Sequence, residues 1–296
     1  MAITNDRLRF SLILCTISRR DELCRFLTSI VAQRNLVHEI IVVDQNPKGH
    51  IDDILTEFKA ILPLHHVYSK PGLSRARNVG LRLCGGEIVA FPDDDCWYPQ
   101  DLLNRIRSLF VEHPDWDGLS TLVVDTQGRF SAGGFMASRT MRITKRNVWR
   151  TAVSPSLFFF RRVIERVGFF DESLGRGGDE PLGSGEETDY LLCAIACGLQ
   201  IQYVPECVVI HPRQDGNYST KQIQRGYEYG FGMGHVLRRH GYSILSPFYY
   251  AGLQVLRAAQ SLAMGRLSKM RFHSAMALGR WQGWWSSVRT KKSSQD

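Results

Sequence analysis

The chain has 296 residues, 44% of them hydrophobic and 22% charged. That length and balance exclude a disordered or fibrous chain and leave ample material for a buried core. The net charge of +8 is uneven, because residues 221–296 hold twelve Lys/Arg against only Glu228 and Asp296, a basic tail on a near-neutral body.

The opening MAITNDRLRF has no apolar run with a small-residue cleavage site, so no secretory signal is expected. Seven cysteines without zinc-ribbon spacing read as reduced thiols, with Cys193 and Cys197 buried in an apolar helix.

RFSLILCT reads as a buried strand, and Leu23, Phe26, Leu27, Ile30 and Val31 then recur at helical spacing. EIIVVDQN is a second strand and HIDDILTEF a short helix. LHHVYS is a third strand, and SRARNVGLRLCGG is a helix closed by its paired glycines. EIVAF is the fourth strand, with a helix from Pro99 through PQDLLNRIRSLFVEH. Strands without polar alternation, separated by helices, predict a Rossmann-like α/β sheet, parallel and buried on both faces. Beyond residue 115 the alternation loosens. SPSLFFFRRVIERVGFFDE suggests a strand and a turn of helix, and GRGGDEPLGSGEETDYLLCAIACG a glycine-rich loop entering a helix. IQYVPECVVIH reads as strand, turn and strand.

In such sheets ligands collect at the C-terminal strand ends, where Thr16, Ser18, Asp44 and the acids of FPDDDCWYP fall. Neither a GxGxxG nor a P-loop pattern is present. Asp93, Asp94 and Asp95 repel one another and call for a cation. On an extended chain Asp93 and Asp95 share one side, a hard-oxygen pair suited to Mg²⁺ or Mn²⁺. The plainer reading is a cap for the following helix, for which one acid suffices. Asp44 is either a turn-former ahead of Asn46 or an acid that holds a ribose or base. Glu186, Glu187 and Asp189 either complement a helix dipole or include a general base. His211, closing an apolar strand, is either structural or a third metal ligand.

The ordered series LILCTISRR, VVDQNP, GLSRARNVGL, GGEIVAFPDDDCWYP, RRVIERVGFFDE, GSGEETDYLLCAIACG and IQYVPECVVIHP resembles family 2 glycosyltransferases of the GT-A fold, over roughly residues 10–212. The resemblance implies a nucleotide-sugar-binding half at 1–115 and an acceptor-binding half of the same domain at 116–215, and the charge of the tail sets off a basic helical C-terminal extension at 216–296. The resemblance makes PDDDC the DXD motif, with Asp93 and Asp95 as metal ligands, Asp95 the chief one, and Asp94 beside the donor. It places Glu187 at the catalytic-base position, usually Asp in relatives, His211 on the metal, and Asp44 on the base. Thr16 and Ser18 fall in the first nucleotide loop, and one of Arg75 and Arg77 faces the donor. The implied reaction is inverting transfer from a nucleotide diphosphate sugar to a hydroxyl acceptor, assisted by Mn²⁺ or Mg²⁺. A retaining double displacement would need a second carboxylate below the anomeric carbon, and no clear candidate stands out.

Two other functions compete. A nucleotidyltransferase would want a glycine-rich phosphate loop after strand one, and CTISRRDEL has no glycine. A non-catalytic nucleotide-sugar-binding module would have lost one acid cluster, yet both are present. In the tail, KQIQRGYEYGFGMGHVLRRHGY is either a lid or a helix whose small residues permit close packing. Leu253, Leu256, Leu267, Met270, Trp281, Trp284 and Trp285, interleaved with arginines and lysines, suggest a helix lying in an anionic membrane interface. The competing reading packs this tail on the catalytic domain or on a second copy in a homodimer. Nucleic acid has no role beside a metal site. The expected setting is the cytoplasmic face of the cell membrane, with a lipid-linked glycan as acceptor during surface-polysaccharide assembly.

Overall fold

The computed structural model describes residues 8–130, 137–177, 182–213 and 218–286. Part of the glycine-rich loop, at 178–181, and the basic residues Arg289, Lys291 and Lys292 lie outside the described residues.

The continuous apolar runs form strands β1 (Phe10–Thr16), β2 (Val37–Asp44), β3 (Leu64–Tyr68) and β4 (Ile88–Ala90), interleaved with helices α1 (Asp21–Val31), α2 (Asp52–Lys59) and α3 (Leu73–Leu81). There follow α4 (Leu102–Glu112), β5 (Gly118–Val124), β6 (Met141–Arg142), β7 (Leu157–Phe160), α5 (Arg161–Val167), α6 (Glu186–Ala196) and β8 (Ile201–Ile210). All eight strands join one sheet in the order β3-β2-β1-β4-β7-β5-β8-β6. Strands β3, β2, β1 and β4 are parallel, as are β5 and β8, while β7 runs antiparallel between β4 and β5.

Helices cover both faces of the central strands β1, β2 and β4, which is why these show no polar alternation. On one face Phe10, Leu12, Leu14, Ile40, Val42 and Phe158 pack with Leu23, Phe26 and Ile30 of α1 and Leu103, Ile106 and Phe110 of α4. On the other, a Cβ added at Gly80 of α3 would lie 2.4 Å from Ile13, and the Tyr190 ring of α6 lies tilted against Phe159 with centroids 5.8 Å apart.

Several local expectations shift. The α4 helix starts at Leu102, not Pro99, so none of Asp93 to Asp95 caps it. The α3 helix ends at Leu81, and the later glycines serve close approach instead: Gly85 and Gly86 donate to Glu39 and to Ser11 Oγ at 2.6 and 2.8 Å. IQYVPECVVI is one strand rather than two. Its pairing with β5 jumps from Val204 to Val208, so Pro205, Glu206 and Cys207 bulge out of the ladder, where a proline without an N–H is tolerated. The strand β5 had no clear sequence signal, because its Ser120 and Thr121 are polar yet buried. All seven cysteines are free, and Cys193 and Cys197 are partly exposed rather than buried.

The chain divides into two compact units, the first made of Met1–Pro71, Arg75–Phe169 and Tyr190–Gln214, the second of Gly72–Ser74, Phe170–Asp189 and Asp215–Asp296. The second unit contains helices α7 (Thr220–Arg239), α8 (Leu245–Ala263) and α9 (Leu267–Trp285). Ser219 and Gln222 close a reciprocal capping box at the start of α7. The glycines of α7 let α9 approach backbone to backbone. A Cβ at Gly230, Gly234, Gly279 or Gly283 would lie 2.0–2.2 Å from a carbonyl oxygen of the facing helix.

Candidate active site

The acid loop begins where β4 ends, at Ala90, and Pro92 removes a ladder donor. Asp93 still bridges to Cys15 of β1, so the acids stand at the C-terminal strand ends. Further on, Trp97 pairs antiparallel with Ile210, the two exchanging N–H···O bonds of 2.9 and 3.1 Å. The His211 N–H donates to Val124 O at 2.9 Å. The end of β8 is thus held between the acid loop and β5, which brings His211 to the aspartates.

Ligand atoms of Asp93, Asp95 and His211 all lie within 4.8 Å of one another. His211 Nε2 is 3.1 Å from Asp95 Oδ1, and Nδ1 on the other side of the ring donates to Pro212 O at 2.8 Å. Burial opposes charge on His211, but the hydrogen bond and charge of Asp95 outweigh it and raise its pKa. Burial likewise opposes charge on Asp95, and the His211 bond with the His211 and Arg19 charges prevails, holding it below the usual carboxylate range.

Two arginines answer the acid cluster. Arg19 Nη1 lies 2.6 Å from Asp94 Oδ1 and 2.5 Å from Asp95 Oδ2. Thr16 Oγ1 donates to the other Asp94 oxygen at 2.9 Å. Arg77 is only 2% exposed, sits 3.4 Å from Asp93 Oδ1 and also donates to Ser154 Oγ. Burial still pushes Asp93 up to about 6 against the pull of Arg77, and raises Asp94 against Arg19. Arg19 was missed in the sequence, where its one signal was its place in the turn after β1.

The remaining first-unit candidates are placed as follows. Asp44 is fully buried, accepting from Asn46 N and Nδ2 at 2.8 Å and lying 3.1 Å from His66 Nε2. Ser18 is exposed with φ +60, and its N–H donates to Asn46 Oδ1 at 2.6 Å. Of the arginine pair, Arg77 enters the acid cluster, while Arg75 donates to Pro71 O at 3.0 Å.

In the second unit, Gly185 at φ +96 turns the chain into α6, whose first turn carries Glu186, Glu187 and Asp189. Glu186 and Asp189 are buried and Glu187 is half-buried. Asp189 Oδ1 meets His240 Nε2 at 2.7 Å and Arg239 Nε at 3.3 Å, and Arg239 also pairs with Asp171. Burial raises the pKa of Tyr229 on α7, Arg176 and Arg225 oppose the rise, and the charges of Glu187 and Glu186 add to it.

Residues 11–168 match the profile of glycosyl transferase family 2, more than half of the chain and including the acid loop. The chain belongs to glycosyl transferase family 2. This family 2 chain is 26% identical over 198 residues to glycosyltransferase AglE of Haloferax volcanii, covering 64% of its own length and 62% of the relative's. It is 23% identical over 199 residues to the glucosyl-dolichyl phosphate glucuronosyltransferase of the same organism, covering 60% and 61%. It therefore spans under two thirds of each of these relatives. Among solved structures, the mannosyltransferase PcManGT of Pyrobaculum calidifontis, in complex with GDP-Man and Mn²⁺, aligns with a TM-score of 0.66 at 17% identity, over 93% of this chain and 87% of that one. S. aureus TarS 1-349 aligns with a TM-score of 0.59 at 16% identity, over 90% of both chains. The fold is thus of the GT-A type.

The residues of this family 2 chain fit a divalent cation. Two carboxylates and an imidazole converge, and the His211 Nδ1–H bond to Pro212 O fixes the ring with Nε2 turned to the acids. Hard oxygens with one imidazole suit Mn²⁺ or Mg²⁺.

Proposed function

We propose that this chain is a metal-dependent, inverting glycosyltransferase that moves a sugar from a nucleotide diphosphate donor to a hydroxyl of a lipid-linked glycan. The observation that carries the reading is the convergence of Asp93, Asp95 and His211 at the strand ends. These three residues would hold Mn²⁺ or Mg²⁺. A cation there supplies Lewis-acid stabilisation of the negative charge that gathers on the departing diphosphate. Arg19 and Arg77 keep the neighbouring carboxylates oriented, and Asp44, Thr16 and Ser18 belong to the nucleotide side of the site. Glu187 accepts the proton of the attacking hydroxyl at its carboxylate, and attack opposite the leaving group inverts the anomeric centre. A lipid-linked acceptor is supported by the dolichyl phosphate in the name of one relative and by an apolar, basic helical extension. On this reading residues 1–115 bind the donor, 116–215 the acceptor, and 216–296 an anionic membrane surface at the cytoplasmic face.

Release of nucleoside diphosphate from a panel of UDP- and GDP-sugars, with Mn²⁺, Mg²⁺ or EDTA, tests the reading. Metal-dependent release with an inverted product is the expected outcome. Release of pyrophosphate would make it a nucleotidyltransferase, and donor binding without turnover a binding module.

A further inference from the structure

Helix α8 is folded inside out. The residues it buries are Pro247, Gln254, Ala258 and Ser261, small or polar side chains at helical spacing. Leu245, Phe248, Tyr249, Val255, Leu256 and Leu262 are each more than half exposed. Positions 245, 249, 252, 256, 259 and 263 hold Leu, Tyr, Gly, Leu, Ala and Ala, so the outward row carries no charge. The inward side is anchored through polar groups: Gln254 lies 2.8 Å from His273 Nδ1 of α9, and Arg280 donates to Tyr250 O at 2.5 Å. A helix that hides its polar residues and exposes its large apolar ones lacks its partner.

The surroundings say what that partner is. Trp281 of α9 meets Phe248 at 4.9 Å, and Trp285 follows at 5.8 Å, so two partly exposed indoles border the apolar row. Arg257 of α8, Arg266 just before α9 and Arg271 near the start of α9 are exposed, and no acid occurs between Glu228 and Ser286. Trp284, expected among the membrane-facing residues, is buried and excluded from this face. A two-fold pairing with a second copy would set these cations against one another. An anionic bilayer neutralises them while covering the leucines, and indoles favour the boundary between the two. No helix among the described residues is long and apolar enough to cross a membrane.

We infer that α8 is an in-plane insertion helix whose outward apolar row enters a bilayer carrying anionic headgroups. The inference rests on the membrane partner proposed above and names the face that makes the contact. At 19 residues the helix is about 28 Å long, lying along the interface with its apolar side down.

The test is co-sedimentation of the full chain with phosphatidylglycerol–phosphatidylcholine vesicles and with phosphatidylcholine alone, at low and high salt, for wild type and Leu245→Ser/Leu256→Ser. Both side chains are exposed, so circular dichroism and Tm of the variant should match wild type. The variant is expected to lose partitioning into anionic vesicles by about tenfold or more. Wild type should bind phosphatidylcholine far more weakly. Equal partitioning of variant and wild type would overturn the α8 assignment while leaving a membrane partner in place. Failure of wild type to bind either vesicle would overturn both. A vesicle-free dimer that the substitutions dissociate would make the occupant a second copy and overturn the inference. Nucleoside diphosphate release from the same samples reads the transferase reaction separately.

Discussion

His211 Nε2 stands 3.1 Å from Asp95 Oδ1 although the two residues come from different segments of the first unit, more than a hundred positions apart in the chain. The contact depends on the Trp97–Ile210 bridge and makes a strand-end histidine part of the acid cluster.

Replacing either partner should therefore remove the same function. Asp95→Asn and His211→Ala are each expected to lower metal-dependent nucleoside diphosphate release by about 10² or more. Neither side chain belongs to the apolar core, so Tm should shift little. Wild-type turnover in both variants, with metal still required, would remove the pair from the site.

Arg19 predicts an effect of opposite sign on metal affinity. It contacts Asp94 and Asp95, so its positive charge opposes a cation held by the same acids. Arg19→Ala should lower the Mn²⁺ concentration giving half-maximal activity several-fold, while turnover falls because the acids lose their orientation. A Mn²⁺ titration that is unchanged or shifted upward would contradict this role.

For Glu187 the expected signature is a separation of binding from chemistry. Glu187→Gln should retain donor affinity by calorimetry and lose transfer by roughly 10² or more. Collapse of donor affinity would reassign Glu187 to binding.

The packing of α7 on α9 should not tolerate a methyl group. A Cβ at Gly283 would lie 2.0 Å from Phe231 O, a backbone atom that cannot move alone. Gly283→Ala is expected to cost about 1–3 kcal/mol, read as a lower Tm. Gly252→Ala, where no atom lies within 4 Å of the new Cβ, is the control and should be neutral or mildly stabilising.

His273 makes the extension sensitive to acid. Burial first, then the charges of Arg257, Lys269 and Arg280, push its pKa down to about 4. The unfolded chain takes up this proton near pH 6.5 and the folded one does not until about 4, so stability falls as pH drops through that window. His273→Gln should flatten this part of the stability profile, and an unchanged slope in denaturant titrations would refute the assignment.

Much of this molecule was legible in the sequence because it rests on short-range physics. Continuous apolar runs bounded by helical periodicity mark strands buried on both faces, which locates β1 to β4 and puts Asp44 and Asp93 to Asp95 at their C-terminal ends. Adjacent like charges announce a need for cations before any contact is known. The sequence offered His211 as one of two readings but did not point to Arg19 or Arg77 as partners of the acids, because Arg19, Arg77 and His211 reach them through the turn after β1, the buried face of α3 and the end of β8. Nor did it divide Arg75 from Arg77, since two residues apart on a helix point to different neighbours. Strand β5 and the bulge in β8 escaped because Ser120, Thr121 and Pro205 read locally as breakers and become tolerable only once partner strands enclose them. The tail shows the same division. Its composition declared a basic, apolar segment, but only packing decided which side of each helix is spent on its neighbours. Close glycine contacts join α7 to α9, and Gln254, Ala258 and Ser261 turn inward, so the large apolar residues of α8 are left facing out.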